Sequence, residues 1–338
     1  VEQSDFITST DPWFRPVDVR YGPDGALYIA DFYNRIIGHY EVPLDHAGRD
    51  RHRGRIWRVV YRDNGLSGPA IAPRLDQASA AELVQTLGDA NLTVRMMAMD
   101  QLTDRIGNES VTALRQAVTN SDSPILASHA AWTLMRLKAL SDAELVSLLK
   151  STDRHRRIHG LKILAESDHS STALLACLID GLTDQDPRLR RTAAETAAQR
   201  ADLSVTQELL GQLTTMQENS KDDLFLEHAL KIALRNQLRS KANFQKLQEL
   251  TLSPQDQKTV IDVALAIPTT HAAAAILDHL RQSPQSLKPE YLAHITRPLP
   301  INRSTELVGL IQNQDDLDIS LQADLFQAVQ GAIEQRGE

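Results

Sequence analysis

The chain has 338 residues, 42% of them apolar and 24% charged, and a net charge of −8, a composition that supports folded domains and excludes wholesale disorder. The acidic balance excludes a general nucleic-acid binder, which needs a basic surface. The single cysteine, Cys177, excludes an intramolecular disulfide framework and a four-cysteine zinc site, and no apolar run reaches the ~20 residues that span a bilayer. Aromatic residues divide the chain in two: ten of the 15 lie in residues 1–61, and seven of the 15 glycines precede residue 70. Four regions follow from this shift and from the periodicity below: a β segment over 1–68, a linker over 69–77, helical repeats over 78–238, and divergent helical repeats or a cap over 239–338. The chain starts at Val1 with no signal peptide ahead of it, and so reads as an internal or carboxy-terminal piece of a longer protein.

Val17, Val19 and Tyr21 alternate with Asp18 and Arg20, which is strand periodicity. Gly22-Pro23-Asp24-Gly25 follows, where proline presets φ and the second glycine supplies a positive φ, so a tight turn leads into a second strand at Leu27 and Ile29. Residues 55–61 form the third strand candidate, and the polar, glycine-punctuated stretch 43–54 is a long loop between them. Three strands cannot bury a two-sided core alone. They have the form of one propeller blade with the strand that closes a ring.

The Gly-Pro-Asp-Gly-Ala-Leu-Tyr-Ile-Ala-Asp hairpin at 22–31 resembles the blade signature of glucose/sorbosone-dehydrogenase-like and NHL-type propellers. The longer strings Asp11-Pro-Trp-Phe-Arg-Pro-Val-Asp-Val, Asp31-Phe-Tyr-Asn-Arg-Ile-Ile-Gly-His-Tyr and Arg49-Asp-Arg-His-Arg-Gly-Arg-Ile-Trp-Arg-Val resemble the last blade of bacterial membrane-bound dehydrogenases. Proteins of that multidomain, haem-binding type join a propeller to HEAT repeats. The resemblance covers about the first 65 residues closely and the rest by architecture alone. It implies an exported parent, periplasmic or membrane-associated, acting on a sugar or alcohol with pyrroloquinoline quinone or haem c. This chain has one cysteine and no Cys-x-x-Cys-His, so haem binding does not carry over and no cofactor is expected within it.

Arg15, Asp18, Asp31, Asn34 and His39 lie near strand ends, where propellers build their sites, and are the candidate site residues. Asp18 and Asp31 can equally serve by accepting bonds from local backbone amides. Arg49, Arg51, Arg53, Arg55 and Arg58 form a basic run that suits an anion or a clamped loop; residues 1–68 hold nine arginines against ten acids, which favours the clamp.

From Ala78 onward the period becomes 3.6. Junctions of the form Asp-x-x-Pro/x-x-Val/Leu-Arg occur at Asp89, Ser121, Asp153 and Asp184, spaced by 32, 32 and 31 residues, the mark of stacked helix pairs. They resemble HEAT and phycobilisome-lyase-type HEAT repeats. The expected pairs are 79–88/91–106, 109–119/123–138, 142–150/154–166, 170–182/187–200 and 204–216/221–238, followed by helices around 244–250 and at 256–267, 271–282, 289–296, 303–313 and 319–335. Runs such as Ala127, Ala130, Ala131 and Ala193, Ala194, Ala197, Ala198 let helices approach closely. The fold class is therefore mostly α, a HEAT-type α-solenoid preceded by a small antiparallel β segment.

No phosphate-binding glycine loop, nucleophile elbow or His-Glu-x-x-His motif occurs. His155 and His159 share a helix face but sit among Arg154, Arg156 and Arg157, which repel a cation, so no metal site is expected. Asp315, Asp316 and Asp318 suit a helix start, while Cys177 and Trp132 suit the core. The arginine group 154, 156 and 157 is the densest basic patch and the candidate contact for an acidic protein partner or for the propeller of the same parent chain. Arg95 and Arg190 suit a structural ladder with cap acids. Composition and motifs point to a non-catalytic interaction arm. Two alternatives are an oxidoreductase of which this chain forms one wall, implied by the dehydrogenase resemblance, and a lyase or chaperone for a bilin-bearing partner, implied by the repeat resemblance.

Overall fold

The structure is a computed structural model that describes residues 4–36, 38, 41–62, 71–218, 223–283, 287–312 and 319–334. Three antiparallel strands, β1 (Pro16–Tyr21), β2 (Leu27–Asp31) and β3 (Arg55–Val59), lie in the order β1-β2-β3. Val19 faces Ile29, which faces Trp57, so alternate residues share a face, and a bulge between Pro16 and Asp18 breaks the β1 register. The turn closes as its residues dictate: Gly25 has φ +75°, and its N–H donates to Gly22 O at 3.1 Å. The third strand ends at Val59 rather than residue 61.

Sixteen helices follow among the described residues. In the first half come α1 (Ala80–Thr86), α2 (Leu92–Asp100), α3 (Val111–Asn120), α4 (Pro124–Arg136), α5 (Asp142–Leu149), α6 (Arg154–Glu166), α7 (Thr172–Leu182) and α8 (Pro187–Ala197). In the second half come α9 (Leu203–Glu218), α10 (Leu224–Arg239), α11 (Lys241–Gln248), α12 (Pro254–Ala264), α13 (Thr270–Gln282), α14 (Pro289–Thr296), α15 (Ile301–Gln312) and α16 (Ile319–Glu334). The fold is mostly α, a HEAT-type helical repeat preceded by a small antiparallel sheet. One expected helix differs: the 91–106 span is α only to Asp100, then a π turn (Gln101–Ile106) and a 3-10 turn (Gly107–Ser110), with Gly107 at φ +64°. The π turn lets Arg105 reach back to Leu75 O at 3.1 Å, tying the approach to α1.

The chain divides into two compact units, Val1–Ala139 and Leu140–Glu338. In the first, the hairpin is fastened to a helix start: Asn91 caps α2 through the Thr93 N–H (2.9 Å) while its amide donates to Gly22 O (2.9 Å), and the Thr93 hydroxyl donates to Tyr21 O. In the second, α5 packs on α6, α7 on α8 and α9 on α10, with α6 against α8 and α8 against α10. Ala193, Ala194 and Ala197 are fully buried, as are Ala127, Ala130 and Ala131 in the first unit. Gly181 of α7 shows why small residues are needed: a Cβ there would lie 3.1 Å from that of Ala193. Cys177 is buried, and burial pushes its thiol up, as suits an inert core thiol. Trp132 is half-buried rather than a core residue.

The repeat junctions carry a device finer than a single capping aspartate. Asp89, Ser121, Ser151 and Asp184 each accept the backbone N–H two residues on, at 2.6, 3.1, 3.1 and 2.8 Å. Those downstream residues, Asn91, Ser123, Asp153 and Asp186, are the N-caps of α2, α4, α6 and α8. Each junction thus presents two acceptors in series, one ordering the turn and one satisfying the free amides of the helix.

Candidate functional site

Asp31 ends β2, and its side chain has no exposure. Its Oδ1 accepts the N–H groups of Arg15 (2.8 Å) and Tyr33 (2.9 Å), and its Oδ2 accepts Arg55 Nε (2.9 Å) and Trp57 Nε1 (3.0 Å). Burial alone would push the carboxyl up; the four donors outweigh it and hold the pKa below its ordinary value. Arg55 also reaches Asp11 Oδ2 at 3.0 Å and stacks 3.9 Å over the Tyr33 ring. The carboxylate therefore joins β2, β3 and the segments on either side of the hairpin through four bonds, and in that arrangement no lone pair remains for a substrate proton.

Asn34 is buried just beyond. Its amide donates to Asp50 O at 2.9 Å and its Oδ1 accepts the Ile36 N–H at 3.2 Å, which fastens the long loop to the end of β2. Arg15 is half-buried, with Nη1 on Phe14 O at 2.8 Å. Asp18 is exposed and pairs with Arg20 at 2.9 Å, which lowers its carboxyl. His39 lies outside the described residues. Of the five candidates, Asp31 and Asn34 border one cavity of about 650 Å³, walled by β1, β2 and the 44–54 loop; Arg15 meets it through its backbone bond to Asp31, and Asp18 stands apart.

Sequence reasoning missed Asp24. Its Oδ2 accepts Arg58 Nε at 2.8 Å and Tyr28 Oη at 2.9 Å, and its Oδ1 accepts the Ala26 N–H at 3.2 Å. The Arg58 guanidinium is the main cause that holds this carboxyl at about 2. The signal was the aspartate of a Pro-Asp-Gly turn, but nothing local names Arg58 as the partner. The sheet also leaves large apolar side chains in solvent: Val17, Val19 and Tyr21 on β1 and Ile56 on β3, the last 74% exposed.

The basic patch of α6 is tied into its neighbours. Arg157 pairs with Asp184 at 2.7 Å and Arg154 with Asp186 at 3.4 Å, so both reach the two acids of the next junction; Arg191 extends the ladder to Asp223 at 3.9 Å. The ladder role expected of Arg95 and Arg190 falls on these residues instead. Arg95 donates to His129 Nε2 at 3.0 Å and to Asp89 O at 2.6 Å. Arg156 is half-buried, with its N–H on the cap Asp153 at 3.0 Å. His159 is half-buried, and burial, with Lys162 and His155 adding to it, lowers its pKa. Among the described residues no cluster of three His, Cys, Asp or Glu could hold a metal ion, and no helix is long and apolar enough to cross a membrane. Asp315, Asp316 and Asp318 lie outside the described residues.

A family described as a domain of unknown function (DUF7133) matches residues 1–63, the strands and their loop. No curated protein matches the chain. Among solved structures, the crystal structure of Kap121p aligns with a TM-score of 0.41 at 14% identity, over 76% of this chain and 29% of its own length. The chain thus spans under a third of that protein. A designed armadillo repeat protein aligns at 0.31 and 14% identity over 75% of this chain and 100% of its own. A structure concerned with a phosphorylation switch in the interaction between cadherin and beta-catenin aligns at 0.28 and 15% identity, over 77% of this chain and 69% of its own.

Proposed function

We propose that the chain is an interaction scaffold, a helical-repeat arm whose amino-terminal sheet seats a β-structured protein partner, the propeller of an exported dehydrogenase of the kind its first 65 residues resemble. The observation that supports this reading is the set of apolar side chains exposed on the two edge strands, Val17, Val19 and Tyr21 on β1 and, on the face opposite Val19, Ile56 on β3. Water-facing residues of this kind at unpaired strand edges suit strand-to-strand docking. The patch at Arg154, Arg156 and Arg157 is the secondary contact of this reading, its charges shared between the ladder and an acidic partner face.

The test is calorimetric titration of the full chain with a propeller of that dehydrogenase class from which the last blade has been removed. Binding is expected, weakened at least tenfold by Val19→Lys with Ile56→Lys and less by Arg156→Glu. No binding, or binding indifferent to both strand substitutions, sinks the reading. The alternative, an oxidoreductase in which this chain forms one wall of the site with quinone or haem held elsewhere, predicts dye-linked turnover of sugars or alcohols by the reassembled pair that Asp18→Asn lowers. Asp18 suits that test because it is exposed and bonds to its chain neighbours Val19 and Arg20, whereas loss of Asp31 would disturb the sheet itself.

A further inference from the structure

The cavity beside β2 has a wall chemistry that the scaffold role does not use. At about 650 Å³ it is large enough for a small organic molecule. Val17, Ala30, Phe32 and Leu44 form an apolar lining, and Arg49, Arg51 and Arg53 stand along the loop side. The polar groups at its edge are already satisfied. Asp31 has four donors, and Asp50 accepts the N–H groups of His52 (2.9 Å) and Arg53 (3.1 Å) as well as Arg53 Nε, which together keep its carboxyl ionised. Arg49 spends its guanidinium on the carbonyls of Gly38, Val42 and Pro43, closing the loop on itself. Arg51 and Arg53 are different. Arg51 Nη2 donates to Leu44 O and Arg53 Nε to Asp50, and among the described residues their other guanidinium nitrogens have no hydrogen-bond partner. Among the lining residues three arginines face two aspartates, Asp31 and Asp50, which leaves a surplus of one positive charge at the mouth of an apolar space, on a chain whose net charge is −8.

We propose that this cavity binds an apolar acid, a molecule with a hydrocarbon or aromatic body and a carboxylate. The body lies on Val17, Ala30, Phe32 and Leu44, where its burial supplies most of the free energy. The carboxylate lies between Arg51 and Arg53, whose planar donor forks match its two oxygens. A neutral ligand of the same shape gains the first term and forgoes the second, so the arginines confer selectivity for the acid. Asn34 and Arg49 act as positioning residues, holding the loop so that the guanidiniums of Arg51 and Arg53, each with nitrogens to spare, border the same space. Val17 is common to this site and the docking strand, but Val19 and Ile56, which test the docking, lie outside the cavity lining, so either assignment can fail alone.

The experiment is calorimetry or ligand-observed NMR on the full chain with 4-phenylbutyrate and its neutral amide as a matched pair. The acid is expected to bind at least tenfold more tightly than the amide. Arg51→Gln removes most of that preference while leaving amide binding unchanged, and Phe32→Ala weakens both ligands. Arg51 has one described contact, to a loop carbonyl, so the variant keeps its fold, which circular dichroism checks. A pair of peptides ending in phenylalanine, one with a free and one with an amidated terminus, separates the two sources of such an acid: tighter binding of the free-terminus peptide assigns the site to a chain terminus, and tighter binding of phenylbutyrate to a free acid. Equal binding of acid and amide, no binding of either acid, or an acid preference that survives both Arg51→Gln and Arg53→Gln overturns the proposal.

Discussion

Two buried aspartates, Asp24 and Asp31, organise the sheet, and each answers to a different arginine. In Asp31→Asn the amide nitrogen must replace one carboxylate oxygen, so either two backbone N–H groups or Arg55 and Trp57 face a donor in place of an acceptor. We expect a loss of about 3 kcal/mol in urea denaturation; an unchanged midpoint would show that water replaces the lost acceptor. Asp24 sets the acid limit of the same sheet. Its folded pKa, about 2, lies below the ordinary carboxylate value of 3.8, so its contribution to stability is present above that ordinary value and is lost as pH falls through the folded one. The unfolding midpoint measured at fixed urea should therefore drop between about pH 4 and pH 2, and Asp24→Asn should flatten that drop while lowering stability at neutral pH. A drop of the same steepness in the variant assigns the acid limb to other carboxylates.

Helices answer to their neighbours as well as to their own sequence, and glycine exposes the difference. Gly211 lies within α9 with nothing within 4 Å of a Cβ built there, whereas Gly181 in α7 has the Ala193 Cβ at 3.1 Å. Gly211→Ala is expected to stabilise by about 0.5–1 kcal/mol, because it removes unfolded-state freedom at no steric cost. Gly181→Val is expected to destabilise by about 2 kcal/mol, because an alanine methyl cannot rotate away. Thermal denaturation of the pair checks both signs, and a stabilising Gly181→Val would mean that α7 and α8 separate readily. The two-step junctions obey the same logic. Asp184 and Asp186 serve the start of α8 through local bonds, and only once α8 stacks on α6 do they also meet Arg157 and Arg154.

At the scale of the chain, Leu140–Glu338 forms its own compact unit. It opens on a complete capping box, in which Ser141 Oγ accepts the Glu144 N–H at 3.3 Å and Glu144 accepts the Ser141 N–H at 2.8 Å. Its core is self-supplied: a buried polar cluster joins Gln237, Thr206 and Asn243, with Gln237 Oε1 accepting the Asp202 N–H at 2.8 Å and Thr206 Oγ1 accepting Asn243 Nδ2 at 2.7 Å. Residues 140–338 produced alone should keep the helical circular-dichroism signal and a cooperative thermal transition. Loss of that transition would show that residues 1–139 complete the core.

The sequence by itself determined what local physics determines. The period of 3.6 named the helices, Gly-Pro-Asp-Gly named the hairpin turn, and alanine runs named the close helix contacts, because each of these depends on residues a turn or less apart. It also singled out Asp31 and Asn34, and the basic run that borders them. Tertiary structure decided what those residues do. Asp31 meets Arg55 and Trp57 across 24 and 26 residues, and Asp24 meets Arg58 across 34. Asn34 holds Asp50 across 16, which brings Arg51 and Arg53 to one cavity. Those pairings depend on strand register and on the path of a long loop, and both are set by the summed packing of the unit, which no short window of sequence contains.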